Sequence, residues 1–169
     1  RLTINRHGHA ISLSQLSPIL ERMRMEVIDE RPYEIALDDA ARVWIYDFGL
    51  NYTVPDDVDI ESAHRLVEDT FVAVWSGLAE SDGFNALVPL AGLSWRQAAV
   101  LRGYGRILRQ SGSTFGQSYI AETLAENIPV VRQLVTLFEC RFDPTRAGDR
   151  AAAQRALNDG LEVLLDDAD

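Results

Sequence analysis

The chain has no lysine; all 16 of its basic side chains are arginine, an economy that the codon usage of a GC-rich genome accounts for. Nor is there an excess of positive charge. The 26 acidic residues outnumber the arginines and give a formal charge of -10, a poor basis for binding nucleic acid or an anionic membrane, which both call for phosphate neutralisation. The single cysteine, Cys140, excludes an internal disulfide and fits a reducing compartment such as the cytoplasm. No apolar run approaches the roughly 20 residues of a membrane helix, and the N-terminus has no signal-peptide pattern. The first residue is Arg1 and not Met, which suggests an excised piece of a longer chain. Internal repeats and low-complexity linkers are lacking too.

What is present is the composition of a globular protein: 47% apolar, 25% charged and 169 residues, enough for one ordinary domain or two small ones. Leu2-Thr3-Ile4 alternates and predicts a short strand, with Arg6 to His9 as the turn after it. Leu16, Ile19, Leu20 and Met23 predict a surface helix. Its start is open between Ser12, which with Gln15 forms a capping box but places Pro18 in the second turn, and Ser14. Val27 to Ile35 reads as extended, with Pro32 marking a sheet edge or bulge. Asp38-Asp39-Ala40 reads as a turn, and Arg42 to Leu50, apolar or aromatic on both alternating sets, as a central strand covered on both faces.

The acidic break Pro55-Asp56-Asp57 divides the chain into 1–54 and 55–169. Beyond it the period is helical. Ile60, Ala63, Val67, Phe71 and Val74 form a stripe closed by Gly77, and Ser81-Asp82-Gly83 opens a short helix. Ser94 with Gln97 is a capping box for a helix that Gly112 ends, along which Ala98, Leu101, Tyr104 and Leu108 share one face. Arg102, Arg106 and Arg109 share another. Thr114 with Gln117 predicts a further capping box before Tyr119, Ile120 and Leu124, and Pro129 suits the first turn of a helix carrying Val131, Leu134, Phe138 and Phe142. Ala153, Leu157, Leu161 and Leu164 mark a last helix with an acidic, frayed tail.

Few residues propose chemistry. His7 and His9 flank Gly8 at a chelating spacing but have no Cys, Asp or Glu nearby, so the reading is a solvated turn and no metal is assigned. Gly103-Tyr104-Gly105 falls inside a helix without a preceding strand or third glycine, so it is no dinucleotide fingerprint; close approach of a neighbouring helix explains it better. The three arginines could grip a carboxylate or phosphate, or pair with Asp and Glu of neighbouring helices. Trp44, Trp75 and Trp95 read as core or interface anchors. No serine sits in a nucleophile elbow, and no catalytic or cofactor-binding residue is assigned.

Six phrases carry a resemblance. Glu26-Val-Ile-Asp-Glu-Arg-Pro-Tyr-Glu-Ile35, Val43-Trp-Ile-Tyr-Asp-Phe-Gly-Leu50 and Glu80-Ser-Asp-Gly-Phe-Asn85 are three of them. Ala91-Gly-Leu-Ser-Trp-Arg96, Leu108-Arg-Gln110 and Leu137-Phe-Glu-Cys-Arg-Phe-Asp-Pro144 are the others. Together, in this order, they resemble the region ahead of the catalytic core in the large bacterial NAD-specific glutamate dehydrogenases. The resemblance implies an α+β fold in which a β-α-β-β portion of an ACT-like, ferredoxin-like module precedes a mainly helical region. The strand-helix-strand-strand order read above fits it, but no last strand closes the module. It also implies an effector site at the first strand–helix junction, with Arg6, His7, Gly8, Ser12 and Ser14 in reach of an amino acid. Trp75, Trp95, Arg102, Arg106 and Arg109 are the candidate interface. NAD belongs to the parent enzyme, whose catalytic lysines and aspartate have no counterpart here. The partners expected are the catalytic domain of the same chain and further copies in a homo-oligomer. A free-standing ACT-like amino-acid sensor is the alternative, and a helical adaptor for another protein a third reading.

Overall fold

Alternating side chains point to opposite faces of a strand, so pairing register decides which set enters a core. In a computed structural model of the chain, which describes residues 1–36, 42–145 and 150–166, the alternating segments form β1 (Leu2–His7) and β3 (Arg42–Asn51). They pair antiparallel, with Leu2 opposite Phe48 and Ile4 opposite Tyr46. β2 (Glu26–Ala36) pairs on the other side of β3, so the order is β1-β3-β2 and the aromatic-rich strand is central. Pro32 lies on an edge strand, where the lost amide is tolerated, and the register shift falls earlier, between Val27 and Asp29. The turn expected at Asp38-Asp39 lies outside the described residues.

One face of β3 is covered. Trp44, Tyr46 and Phe48 stack along it with ring centroids 6.4 Å apart at each step, and they join Leu2, Leu16, Leu20 and Phe71 in one core. The opposite face carries Val43 and Ile45, with Tyr33 and Ile35 beside them on β2; none enters a core cluster, and Tyr33 and Ile35 are exposed. The expectation of cover on both faces is therefore corrected: among the described residues both helices of this portion pack on the Tyr46 side.

The first of those helices, α1 (Leu13–Arg22), starts after Ser12, so Pro18 does lie inside it and gives up the amide that would have bonded the Ser14 carbonyl. Ser12 makes no side-chain cap; its hydroxyl lies 2.7 Å from that of Ser14. The helix forms regardless because its stripe of Leu16, Ile19, Leu20 and Met23 is buried. The second is α2 (Ile60–Trp75), capped by Asp59, whose carboxylate accepts from the Ser62 amide at 2.8 Å. Although it follows the acidic break, α2 gives Val67 and Phe71 to the sheet's core, and it also meets the helices beyond.

Those helices are α3 (Leu87–Ala91), preceded by a 3-10 turn over Gly83–Ala86, α4 (Trp95–Gln110), α5 (Gln117–Glu126), α6 (Ile128–Phe142) and α7 (Arg150–Asp166). Gly92 ends α3 at φ 67, the left-handed region, with Val58 so close that a Cβ would meet it at 3.1 Å. The capping box of α4 forms as expected: the Gln97 amide donates to Ser94 Oγ at 3.3 Å and the Ser94 amide to Gln97 Oε1 at 2.8 Å. The one expected at Thr114 does not. α5 begins after Gly116 without a side-chain cap, so Gln117 is the first helical residue instead of the third; the loop before it is closed by the Phe115 amide on Ser113 Oγ at 3.3 Å. α5 is buried through Ala121 and Ala125 and leaves Tyr119 exposed, stacked on Phe115. A second core joins Phe84, Leu87, Leu101, Ala121, Val131 and Val135. α7 lies along α6, where Gln133 donates to the Leu157 carbonyl at 2.9 Å; the side chain of Leu164 and residues 167–169 lie outside the description. Among the described residues no helix is long and apolar enough to cross a membrane.

Candidate functional site

Two constructions hold the candidate residues. The first is a clasp between α4 and the loop before α3. Asp82 caps the 3-10 turn, accepting from the Phe84 amide at 3.0 Å. Its two carboxylate oxygens also receive Arg102, Oδ2 from Nε at 2.6 Å and Oδ1 from Nη2 at 2.9 Å. Arg102 is only 4% exposed, so desolvation would be severe without this two-point pairing. Nη2 also donates to Asn85 Oδ1 at 2.6 Å, the guanidinium lies 5.7 Å from the Phe84 ring centre, and the buried Asn85 donates back to the Glu80 carbonyl at 2.9 Å. Arg106, a turn further on, pairs with the Glu80 carboxylate, which holds its guanidinium protonated even more firmly than usual.

Of the three arginines on one stripe, then, Arg102 is an internal tie and Arg106 a surface pair. Arg109 is exposed, with no partner among the described residues. Gly105 faces α5, where a Cβ would come within 2.7 Å of Gln117 Oε1 and 3.2 Å of Phe84; Gly103 has open space. The close-approach reading of these glycines thus applies to Gly105 alone. Trp75 is stacked on Phe71 at 6.0 Å at the end of α2 and keeps a third of its surface exposed, while Trp95 is part-buried under Arg96, whose guanidinium carbon lies 4.3 Å from the ring centre.

The second construction is the turn between β1 and α1, which the sheet's aromatic column pins from below. Gly8 takes φ 89, its amide donates to the Arg42 carbonyl at 2.9 Å, and its carbonyl accepts from Trp44 Nε1 at 3.2 Å. Tyr46 supports the other end, its hydroxyl accepting from the Ile11 amide at 2.8 Å. The turn expected from Arg6 starts only at Gly8, since Arg6 and His7 end β1; Ser12 stands at the turn's far end, Ser14 lies in the first turn of α1, and all five are exposed. Arg6 lies opposite Trp44 and His7 opposite Val43, so these two side chains leave β1 on opposite faces; of the five predicted effector residues the structure joins Ser12 and Ser14, whose hydroxyls lie 2.7 Å apart. Among the described residues no group of three His, Cys, Asp or Glu side chains is placed to hold a metal.

Sequence reasoning missed Glu80, Asp82 and Asn85 as partners of the arginines. A sequence separation of 20 residues between Asp82 and Arg102 leaves no periodic signal for it to find.

Comparison with known proteins matches residues 1–63 to "Glutamate dehydrogenase, ACT3 domain" and residues 79–144 to "Glutamate dehydrogenase, helical motif 3". The chain belongs to the glutamate dehydrogenase family. It is 40% identical over 169 residues to the NAD-specific glutamate dehydrogenase of Mycobacterium tuberculosis, covering 94% of this chain and 10% of that one. Against the NAD-specific glutamate dehydrogenase of Halomonas elongata it is 39% identical over 143 residues, 85% of this chain and 9% of the relative. For that of Pseudomonas aeruginosa the figures are 38% over 160 residues, 93% and 10%. The chain thus spans about a tenth of the length of these curated relatives. The α+β order expected for a glutamate dehydrogenase ACT and helical segment is what the structure has: a three-stranded sheet with its helices, then helices. No fourth strand is present among the described residues.

Proposed function

We propose that this chain is a non-catalytic regulatory and architectural segment of an NAD-dependent glutamate dehydrogenase. The observation that carries the reading is the tandem match of the ACT3 and helical-motif-3 descriptions in a chain a tenth as long as its relatives. The parent enzyme oxidises L-glutamate to 2-oxoglutarate and ammonia with NAD as hydride acceptor, and both are bound by parts of the polypeptide outside this chain. Portion 1–54 is the sensing half and 55–169 the docking half, with α2 as the element touching both. Trp75, Trp95, Arg106 and Arg109 present surface for contacts with the catalytic domain and between subunits of a cytoplasmic homo-oligomer, and Arg102 acts from inside by holding α4 in place.

The size of the native polypeptide is the first test, read by immunoblot with an antibody against this chain. A band many times longer supports the reading and makes NAD-linked glutamate turnover the next assay; a band of this length overturns it. In the full-length enzyme, Trp95→Ala with Arg106→Ala is expected to weaken subunit assembly or alter regulation. Unchanged assembly and kinetics would count against an architectural role.

A second reading, amino-acid sensing at the β1–α1 turn, is favoured by the way Trp44 and Tyr46 fix the Gly8–Ile11 backbone. A ligand that binds only the folded state raises its melting temperature, so a panel of amino acids tests this by thermal shift. Loss of the shift in Ser12→Ala with Ser14→Ala would locate it there.

A further inference from the structure

We propose that the groove between α4, α5 and α6 is the seat of a helix from the parent polypeptide outside residues 1–169, presenting a row of apolar side chains and a carboxylate to Arg141. This rests on the reading of the chain as part of a longer dehydrogenase. The groove measures about 390 Å³ and is walled by Leu101, Tyr104, Leu108, Leu124, Phe138 and Phe142, with Arg141 on its rim.

Two helical stripes explain why it is there. On α4 the apolar face begins buried at Ala98 and Leu101 and runs on, still apolar, through Tyr104 and Leu108, which are 45% and 51% exposed. On α6 it begins buried at Val131 and Val135 and ends at Phe142, 56% exposed. Tyr104 meets Phe138 edge-on at 6.2 Å and Phe138 meets Phe142 at 5.0 Å, so the two walls form one continuous aromatic floor. Solvent-facing helical residues gain nothing from such a stripe, whereas side chains three and four apart on an added helix would fill it.

The occupant is argued from what surrounds the groove. The last helix of this chain does not fill it, because α7 lies on the Gln133 and Cys140 side of α6. Arg141, exposed and 5.9 Å from the Phe142 ring centre, has no carboxylate partner among the described residues of a chain that is strongly acidic. The relatives carry about ten times the length of this chain, so a covalently linked helix is available at high effective concentration. A small-molecule site would need several convergent polar groups, and this lining supplies little beyond Arg141 and the Tyr104 hydroxyl.

The test uses the full-length polypeptide, with Leu108 or, separately, Phe142 replaced by a benzophenone-bearing residue; both line the groove, are about half exposed and belong to neither buried core cluster. After irradiation the cross-linked peptides are sequenced. The expected result is an intramolecular cross-link from both positions to one peptide outside residues 1–169, with its yield lowered several-fold by Arg141→Glu. A cross-link to α7, to a second copy, to another protein or to nothing at either position overturns the proposal. Full yield in Arg141→Glu overturns the carboxylate. A native band no longer than this chain defeats the parent reading on the immunoblot alone, while a long band without the cross-link defeats only the groove.

Discussion

In the sheet portion the aromatic column Trp44-Tyr46-Phe48 lies against α1 and α2, and its ion pairs, such as Arg1 with Asp29 and Asp47 or Arg42 with Glu34, sit in solvent. The helical portion instead places a charge inside: Arg102 is sealed by Asp82, Asn85 and the Phe84 ring, and α5 is drawn close at Gly105. Strands carry a backbone ladder that fixes their spacing whatever the side chains do. Helices have no such ladder between them, so register and distance fall to side chains, and a buried two-point ion pair sets both. The difference also appears at the surface. The sheet leaves one face open, where Val43, Ile45, Tyr33 and Ile35 lie beside Asn5, Arg31 and Asp47, while the helices leave a groove whose two walls continue from the core.

The largest effect expected on breaking this comparison is in the sheet. Phe48→Ala removes a side chain with no exposed surface and should cost about 3–5 kcal/mol in urea unfolding. Next is Asp82→Ala, which strands the Arg102 guanidinium in the interior; a loss on the order of 3 kcal/mol is expected, and Arg102→Met should cost less because it removes the buried charge as well. Equal losses in those two variants would mean that hydrogen bonding to Glu80 and Asn85, and not the unpaired charge, governs the clasp. Gly105→Ala forces Gln117 or α5 to move and should cost about 1–3 kcal/mol, visible as a lowered melting temperature.

The smallest effect is acid. Arg1 lowers the Asp29 and Asp47 pKa values, Arg132 lowers that of Asp57, and the Ser62 amide lowers that of Asp59. Groups with depressed folded pKa values contribute stability that is present above the unfolded value, near 3.8, and lost as pH falls through the folded one. Asp29, Asp47 and Asp59 lie in the sheet or at the entry to α2, while Asp57 ties that entry to Arg132 of α6, so amide protection in the sheet should fall below about pH 4 before it falls in α4. Simultaneous loosening of both regions would show that the portions open together.

Much of the fold was legible because its signals are local. The Ser94–Gln97 box marked the start of α4, period-two alternation marked β3 as central, and Pro32 marked β2 as an edge or a bulge, of which the structure has the edge at that position. The same kind of signal misled at Thr114, since the helix starts after Gly116 and Gln117 is its first residue, too early to close a box as the third. It misled again on β3, whose two apolar sets looked alike in sequence although only one finds helices to pack on. Of the candidate site, the β1–α1 turn was legible as a place, because strand, glycine turn and helix follow one another in sequence. Its support from Trp44 and Tyr46, 36 and 35 positions away from their respective partners, was not.

The sequence by itself determined where strands and helices form, which face of each is apolar, and the family to which the chain belongs, because periodicity, capping and phrase order are written in consecutive residues. The tertiary structure alone decided that Arg102 is interior and Arg109 free, that Gly105 and not Gly103 is the point of close approach, and that the stripes of α4 and α6 run out into an open groove. Each of those depends on which distant segment arrives at a surface, and no spacing along one helix can specify that.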